Sequence, residues 1–474
     1  MSLTVPQYKI MLYHKDSGSG RTWDFTNVEY LTDVAEINIR SGTEKKQDTF
    51  TISLPSGWKY DSGTNTFYNK YGTTAESKGD EGVNIKLDDR VRIFAWTGHK
   101  DSDYPSNSTE ISESFLFDGI ITQYSYDLDA NGKIRYVLSG ANTTERLLKM
   151  YLPAAYTTND TNNKAHLMIT EMLGLVSDAT EFTLTWDSSN AVATKEINYA
   201  SKYKPVYQQI EELSMQENTG LNDCYYYIDT RESGGTWTNY FVWKEKTFPD
   251  TFTDSQKLIQ GEDLSSVNIV HGTWDTINSV RLDCGKDPRG HQVHTYYSDP
   301  ESYARIGGKW KGLAVSTAAK VMQYEMLTNS GSFGETDNFP TAYNYVCALP
   351  ASGAMTIDSV DFALGDTVTV QTDSGYNAYI RSQARYLGKV RGQAFIDHYK
   401  YPRYKFKTVN GIGTRDFVLG QVVKCYSETF GWSESGTPDT GNRMRIVEMR
   451  HLINQNGWKT EFQLEQDWEL ATSA

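Results

Sequence analysis

The sequence predicts a mainly β protein with an α/β insertion: two tube-like β-barrels plus a small mixed α/β domain. Three observations lead there. Strand-like runs dominate both ends of the chain, helix signals gather in its middle, and a Leu–turn–strand segment recurs at the two ends. One core cannot serve the whole. Single cores stop growing near ~250–300 residues, and this chain has 474.

Composition narrows the class. With 38% hydrophobic and 22% charged residues, 12 Pro and 37 Gly, wholesale disorder is excluded. The 32 Tyr favour pleated, half-buried surfaces and lean toward strands. A net charge of -14 argues against a generic nucleic-acid binder, whose affinity would come from Lys and Arg. The start MSLTVPQYKIMLYHKDSGSG has no basic region followed by an apolar one, so no secretory signal is expected. No run reaches the ~18 apolar residues of a spanning helix. Cys224, Cys284, Cys347 and Cys425 are widely spaced, which excludes a zinc knuckle or a dense disulfide framework. Reduced, partly buried thiols and a soluble chain made in a cytoplasm are the expectation.

The first barrel is expected within residues 1–142. TFTISL (49–54), RVRIFAW (90–96), FLFDGIITQYSY (115–126) and GKIRYVLSG (132–140) read as strands, the last two flanking a turn with Asn131-Gly132. The mixed α/β domain is expected at 143–262. It opens with an N-cap pattern, Asn142 to Glu145, and contains helices over 163–175 and 205–217. CYYYID (224–229) and TNYFVWKE (238–245) are its strands. The second barrel, 263–474, has a helical turn from Asp299-Pro300 to Gly307-Gly308 and a helix over Leu313–Leu327. It closes with VLGQVVKCYSE, a loop (431–442) and the hairpin RMRIVEMRHLI–NQNG–WKTEFQLEQ, where Trp458, Thr460, Phe462 and Leu464 make one dry face.

LDDRVRI (87–93), LGDTVTV (364–370) and LGQVVKC (419–425) share a form. The first and third are each followed by a polar loop, a long strand, an Asn-Gly turn and a return strand. Either such combinations recur by chance, or the two ends are related barrels.

No residue is assigned a catalytic, cofactor-binding or metal role. GxxxxGK[ST], HExxH, GxSxG and GxGxxG are all absent. Gly307-Gly308-Lys309 lacks the spacing of a phosphate loop. Asp127, Asp129 and Asn131-Gly132 open like a calcium loop, but the closing position is Leu138 rather than Glu, so this reads as a hairpin. His291 and His294 read as solvated loop histidines. Cys347/His398 and Cys224/His291 are pairs with no local signature. Trp96, Trp458 and Trp468 lie in or beside strands, where packing explains them as well as sugar stacking does.

Several fragments together resemble the hub proteins at the baseplate of long-tailed phages and related contractile injection systems. Glu44-Lys45-Lys46 leading to Asp48-Thr49-Phe50 resembles that family's first-barrel strand. LDDRVRI with Phe115 to Ile121 resembles its D-x-V-x-I and F-x-G-x-I pair. Asp299 to Gly307 resembles the turn and helix before the second barrel's last strands. LGQVVKC with Arg445 to His451 and Gly457-Trp458-x-Thr460 resembles that barrel's close. The segment 329–415 is longer than the pattern and reads as an inserted subdomain.

The resemblance implies a homotrimer in which two barrels per subunit form a pseudo-sixfold ring. Such a hub is a symmetry adaptor between a sixfold tail tube and a threefold spike or tail tip. Its implied partners are a tail tube or adaptor protein, a spike or tail-tip protein and the tape measure protein, the spike and any lytic module being separate chains. Genome DNA would pass through the channel without specific binding, with no membrane anchor and no cofactor, in a virion tail. An acidic lumen would repel duplex phosphate, although the same charge serves solubility equally well. Two other classes compete: a tail-tip polysaccharide or peptidoglycan hydrolase, and a carbohydrate-binding receptor-recognition protein.

Overall fold

The computed structural model describes residues 6–15, 23–31, 34–44, 47–54, 58–61, 66–69, 85–98, 100, 104–128, 134–142, 149–152, 156–157, 162–177, 183–197, 199–201, 204–215, 219–249, 251–272, 276–286, 292–307, 312–315, 345–348, 354–357, 360–363, 367–370, 396, 400, 403–410, 413, 416–433 and 442–466. Strands dominate them, and the helices are short.

The N-terminal β unit contains β1 (Gln7–Lys15), β2 (Trp23–Tyr30), β3 (Glu36–Gly42), β4 (Thr49–Leu54), β5 (Trp58–Asp61), β6 (Thr66–Asn69), β7 (Arg90–Trp96), helix α1 (Ser108–Ser114), β8 (Phe115–Leu128) and β9 (Ile134–Ala141). Alternation places Ile37, Ile39, Phe50, Ile52, Val91, Ile93 and Leu138 in one core. The Asn107 side chain accepts from the Glu110 amide and caps α1.

The middle unit holds β10 (Tyr156–Thr157), α2 (Ala165–Val176), β11 (Leu184–Trp186), β12 (Ala200–Ser201), α3 (Val206–Leu213), β13 (Cys224–Ser233) and β14 (Thr236–Glu245). Both expected helices are present, the first starting two residues later and ending one later than expected, the second ending at Leu213. Met168, Ile169, Met172 and Leu173 of α2 and Ile210 and Leu213 of α3 pack against Tyr226, Phe241 and Trp243 of the β13–β14 hairpin. Residues 143–148, where the N-cap pattern points, lie outside the described residues. Asn142 itself donates to Asp48 (2.6 Å).

The C-terminal unit contains β15 (Lys257–Ile259), β16 (Ser266–Gly272), β17 (Ser279–Lys286), β18 (Gln292–Ser298), α4 (Pro300–Arg305), β19 (Gly312–Val315), β20 (Tyr345–Ala348), β21 (Ala354–Ile357), β22 (Val360–Ala363), β23 (Thr367–Val370), β24 (Arg403–Asn410), β25 (Val422–Tyr426), β26 (Asn442–Asn454) and β27 (Gly457–Gln466). Asp299 caps α4 through the Ser302 amide (2.8 Å), as the Asp-Pro signal predicts. The helix expected over Leu313–Leu327 is corrected at its start: residues 312–315 are a strand parallel to β17. A short apolar run does not by itself separate helix from strand, and pairing with β17 decides it. Residues 316–327 lie outside the described residues. Among the described residues, strands β20 to β23 pair only among themselves, whereas β24 belongs to the main sheet.

The expected separate barrels take another form. Among the described residues no barrel closes. Instead one sheet runs β16-β24-β27-β26-β3-β4-β9-β8-β7-β1-β2, with β25 also on β26 and β15 on β25. The long β26 has β27 along one edge. Its other edge is split: residues 442–445 pair with β25, and residues 448–454 pair with β3.

Two halves of this sheet repeat each other. The order β3-β4-β9-β8-β7 matches β16-β24-β27-β26-β25, antiparallel throughout. Register shifts fall at matching places, at Thr122 between Ile121 and Gln123 and at Val447 between Ile446 and Glu448. The turns before β7 and β25 also match. Asp88 (φ 70) and Gly420 (φ 77) are both left-handed. The Asp88 amide donates to the Ile121 carbonyl (2.9 Å) as the Gly420 amide does to Ile446 (2.8 Å). The Asp89 and Gln421 side chains accept from the Lys86 (2.7 Å) and Val418 (3.0 Å) amides. Carried through the pairings, Glu-Ile-Asn-Ile-Arg-Ser-Gly of β3 falls on Ser-Val-Asn-Ile-Val-His-Gly of β16.

Candidate assembly surface

The joint between the two β units, where β26 pairs with β3, has one apolar and one polar face. Its apolar face buries Ile37, Ile39, Ile453 and Trp458, the last two carried from the β26–β27 hairpin into the N-terminal core. His451 is buried there too, its Nδ1 3.1 Å from the Thr460 hydroxyl. The opposite face is polar and forms a shallow groove lined in part by Asn38, Arg40, Thr51, Glu448, Arg450 and Gln463. Arg40 donates to both carboxylate oxygens of Glu448 (2.6 and 3.0 Å), which raises its affinity for the proton further. Arg450 donates to Asn38 (2.8 Å) and lies 3.4 Å from Glu461. This face is therefore mixed in charge and internally paired, not uniformly acidic.

Both β units also grip the middle hairpin. At its tip, Trp237 lies under the Arg92 guanidinium (4.2 Å) and against Phe115 (4.9 Å). Asp118 accepts from Arg90 (2.8 Å) and Arg92 (3.3 Å). Burial alone would push the Asp118 carboxyl up, but the guanidinium groups, Arg90 first, hold it below the usual carboxylate range. At the hairpin's other end Arg445 stacks on Tyr225 (4.8 Å) and Phe248 (4.6 Å) and donates to the Gly420 (3.1 Å) and Thr247 (2.9 Å) carbonyls.

Cys224 and Cys425 are buried with their thiols pushed well up, chiefly by desolvation, which makes them poor nucleophiles. His294 sits in β18 opposite Asp283, while His291, His398, Trp468 and the Asn131-Gly132 turn lie outside the described residues. Among the described residues no group of three or more His, Cys, Asp or Glu could hold a metal ion. No helix there is long and apolar enough to cross a membrane. Sequence reasoning missed Asp48, a buried carboxyl that accepts from the Gly42 amide (2.8 Å) and from Asn142. Burial raises it to about 7 against the pull of those two donors.

Neither a protein-family model nor a curated protein matches the sequence. Among solved structures, the chain is similar to the 43 kDa tail protein of prophage MuSo2 from Shewanella oneidensis. The TM-score is 0.48 at 10% identity, over 98% of this chain and 99% of that one. It is also similar to a tail protein from Neisseria meningitidis MC58 (TM-score 0.46, 11% identity, 97% of each chain). A third is prophage tail protein gp18 from Listeria monocytogenes EGD-e (TM-score 0.43, 10% identity, 98% of this chain and 96% of that one). All three are tail proteins.

Proposed function

We propose that this chain is a structural virion protein, a homotrimeric baseplate or tail hub that adapts a sixfold tail tube to a threefold spike or tail tip. The observation that carries the reading is the joint itself: two register-matched β units meet edge to edge through β26 and β3 within one chain. A repeat of this kind makes one subunit count as two around an axis. Three copies then present six equivalent sheets to a sixfold neighbour and three middle units to a threefold one. Residues 1–142 and 263–474 are the two ring-forming units, 143–262 is the outer α/β domain except that β15 (Lys257–Ile259) joins the second unit through β25, and β20 to β23 form the subdomain inserted within 329–415.

In the ring, the polar face with Arg40, Glu448, Arg450 and Gln463 lines the channel. Its charges are neutralised pairwise, which leaves little free cation for duplex phosphate. The tape measure and genome pass without specific binding, and the tube and spike proteins dock at the two ends. The role is mechanical, with no reaction catalysed.

Light scattering on the purified protein tests this. Three copies of a 53.7 kDa chain give a particle of about 160 kDa. A stable monomer at micromolar concentration, unchanged by tail partners, overturns the reading, as does hydrolysis of purified sacculi.

A further inference from the structure

The repeat leaves two edges unmatched. On β26, residues 448–454 run past the end of β25 and are covered by β3. On β8, residues 123–128 likewise run past the end of the β7 pairing, and no described strand covers that edge. The counterpart of β3 is β16, whose only strand partner among the described residues is β24.

Burial follows the same division. Ile37 and Ile39 of β3 are fully buried, while the matching Val267 and Ile269 of β16 are only partly covered. Thr122 and Gln123 of β8 are exposed where the matching Val447 and Glu448 are half-buried. Uncovered strand edges template pairing with another chain, and a heterologous contact that closes removes them all.

We propose that the edge of β8 from Gln123 to Leu128 takes β16 of a second copy of this chain, antiparallel, repeating the β26–β3 joint. The matched pairings fix the register: Gln123 opposite Gly272 of the partner subunit, Ser125 opposite Val270 of the partner subunit, Leu128 opposite Val267 of the partner subunit. The chain's internal joint then alternates with the joint between copies, and the four-stranded sheets β3-β4-β9-β8 and β16-β24-β27-β26 continue around the axis. This rests on the trimeric reading above and adds which edges meet, and in which register.

Paired cysteines test it. Directly opposed residues on antiparallel strands lie ~4.5–5.5 Å apart at Cα, within disulfide range. Ser125→Cys/Val270→Cys and Tyr124→Cys/His271→Cys should, under mild oxidation, give reducible dimer and trimer bands from at least one pair. The shifted pair Ser125→Cys/Ile269→Cys and each single variant should give none. Hydrogen exchange on the unmodified protein reads the same edges, with slow exchange expected for the amides of 123–128 and 267–272. A trimer by light scattering in which neither pair links, or only the shifted one does, or in which those amides exchange freely, overturns this joint and leaves the trimer standing. A monomer by light scattering defeats the trimer itself.

Discussion

Strand β7 carries Arg90 and Arg92 beside Asp118 of β8; at the matching places of the other β unit stand Val422, Lys424 and Arg443. Two residues further along the strand, on the same face, Ile120 of β8 corresponds to Arg445 of β26. The N-terminal unit therefore grips the middle hairpin with a buried ion cluster capped by Trp237. The C-terminal unit uses one arginine set between Tyr225 and Phe248, bound to two carbonyls. The backbone frame is common because every turn and ladder amide must find its partner. Side chains facing the middle unit are free of that demand, and each unit has found its own way to hold it.

Breaking the ion cluster should have the largest effect. Asp118→Ala leaves Arg90 and Arg92 side by side in a buried site without their carboxylate. Losing one partner of a buried charge cluster costs about 3–5 kcal/mol. Urea unfolding should register a loss of that order, and tryptophan emission should report that Trp237 has left its site. A loss below ~1 kcal/mol would mean that solvent already reaches the cluster.

The next effect distinguishes the units by pH. Asp48 is held by Asn142; in the C-terminal unit the counterpart of Asn142 is Gln466, which donates to Asn442 (3.2 Å), a neutral pair. Because burial raises the folded Asp48 carboxyl to about 7 from an ordinary value near 3.8, its stabilising contribution is complete below about 4 and is lost as pH rises toward 7. At about 1.4 kcal/mol per unit, the loss reaches up to ~4 kcal/mol. Asp48→Asn keeps an acceptor for the Gly42 amide and should flatten this part of the stability–pH curve, raising stability at pH 8. An unchanged slope between pH 4 and 7 would refute the assignment.

How much of this could be read from sequence depends on whether the cause was local. The Leu–turn–strand echo of LDDRVRI and LGQVVKC is a local feature, and it extends to matching turn hydrogen bonds. The dry face of β27 was equally legible, with Trp458, Thr460, Phe462 and Leu464 all buried. The likeness of β3 to β16 was not, because only the pairings to β4 and β24 bring Asn38 onto Asn268 and Ile39 onto Ile269. Nor was the β26–β3 joint, whose partners stand some 400 residues apart. Alternation in RVRIFAW points Arg90 and Arg92 outward from the first core, and sequence cannot reveal that Asp118 and Trp237 wait there. The third echo, LGDTVTV, yields only β23 paired with β20, outside the repeat.

The smallest expected effect compares the joint inside the chain with the proposed joint between copies. Arg40 and Glu448 bridge β3 and β26 with a bidentate geometry, but the arginine side chain is 56% exposed. Solvent screens such a pair, and exposed ion pairs contribute ~0.2–1 kcal/mol. Arg40→Gln should therefore lower stability by less than about 1 kcal/mol, and the difference from wild type should shrink further in molar salt. At the matching places between copies stand Gln123 and Val270 of the partner subunit, which carry no charge. Trimer formation should then be nearly independent of ionic strength between 0.05 and 1 M, a range over which the Debye length falls from more than ~10 Å to ~3 Å. Sedimentation across that range checks it. Dissociation by salt would show that charges elsewhere hold the copies together, and the two joints would no longer be alike.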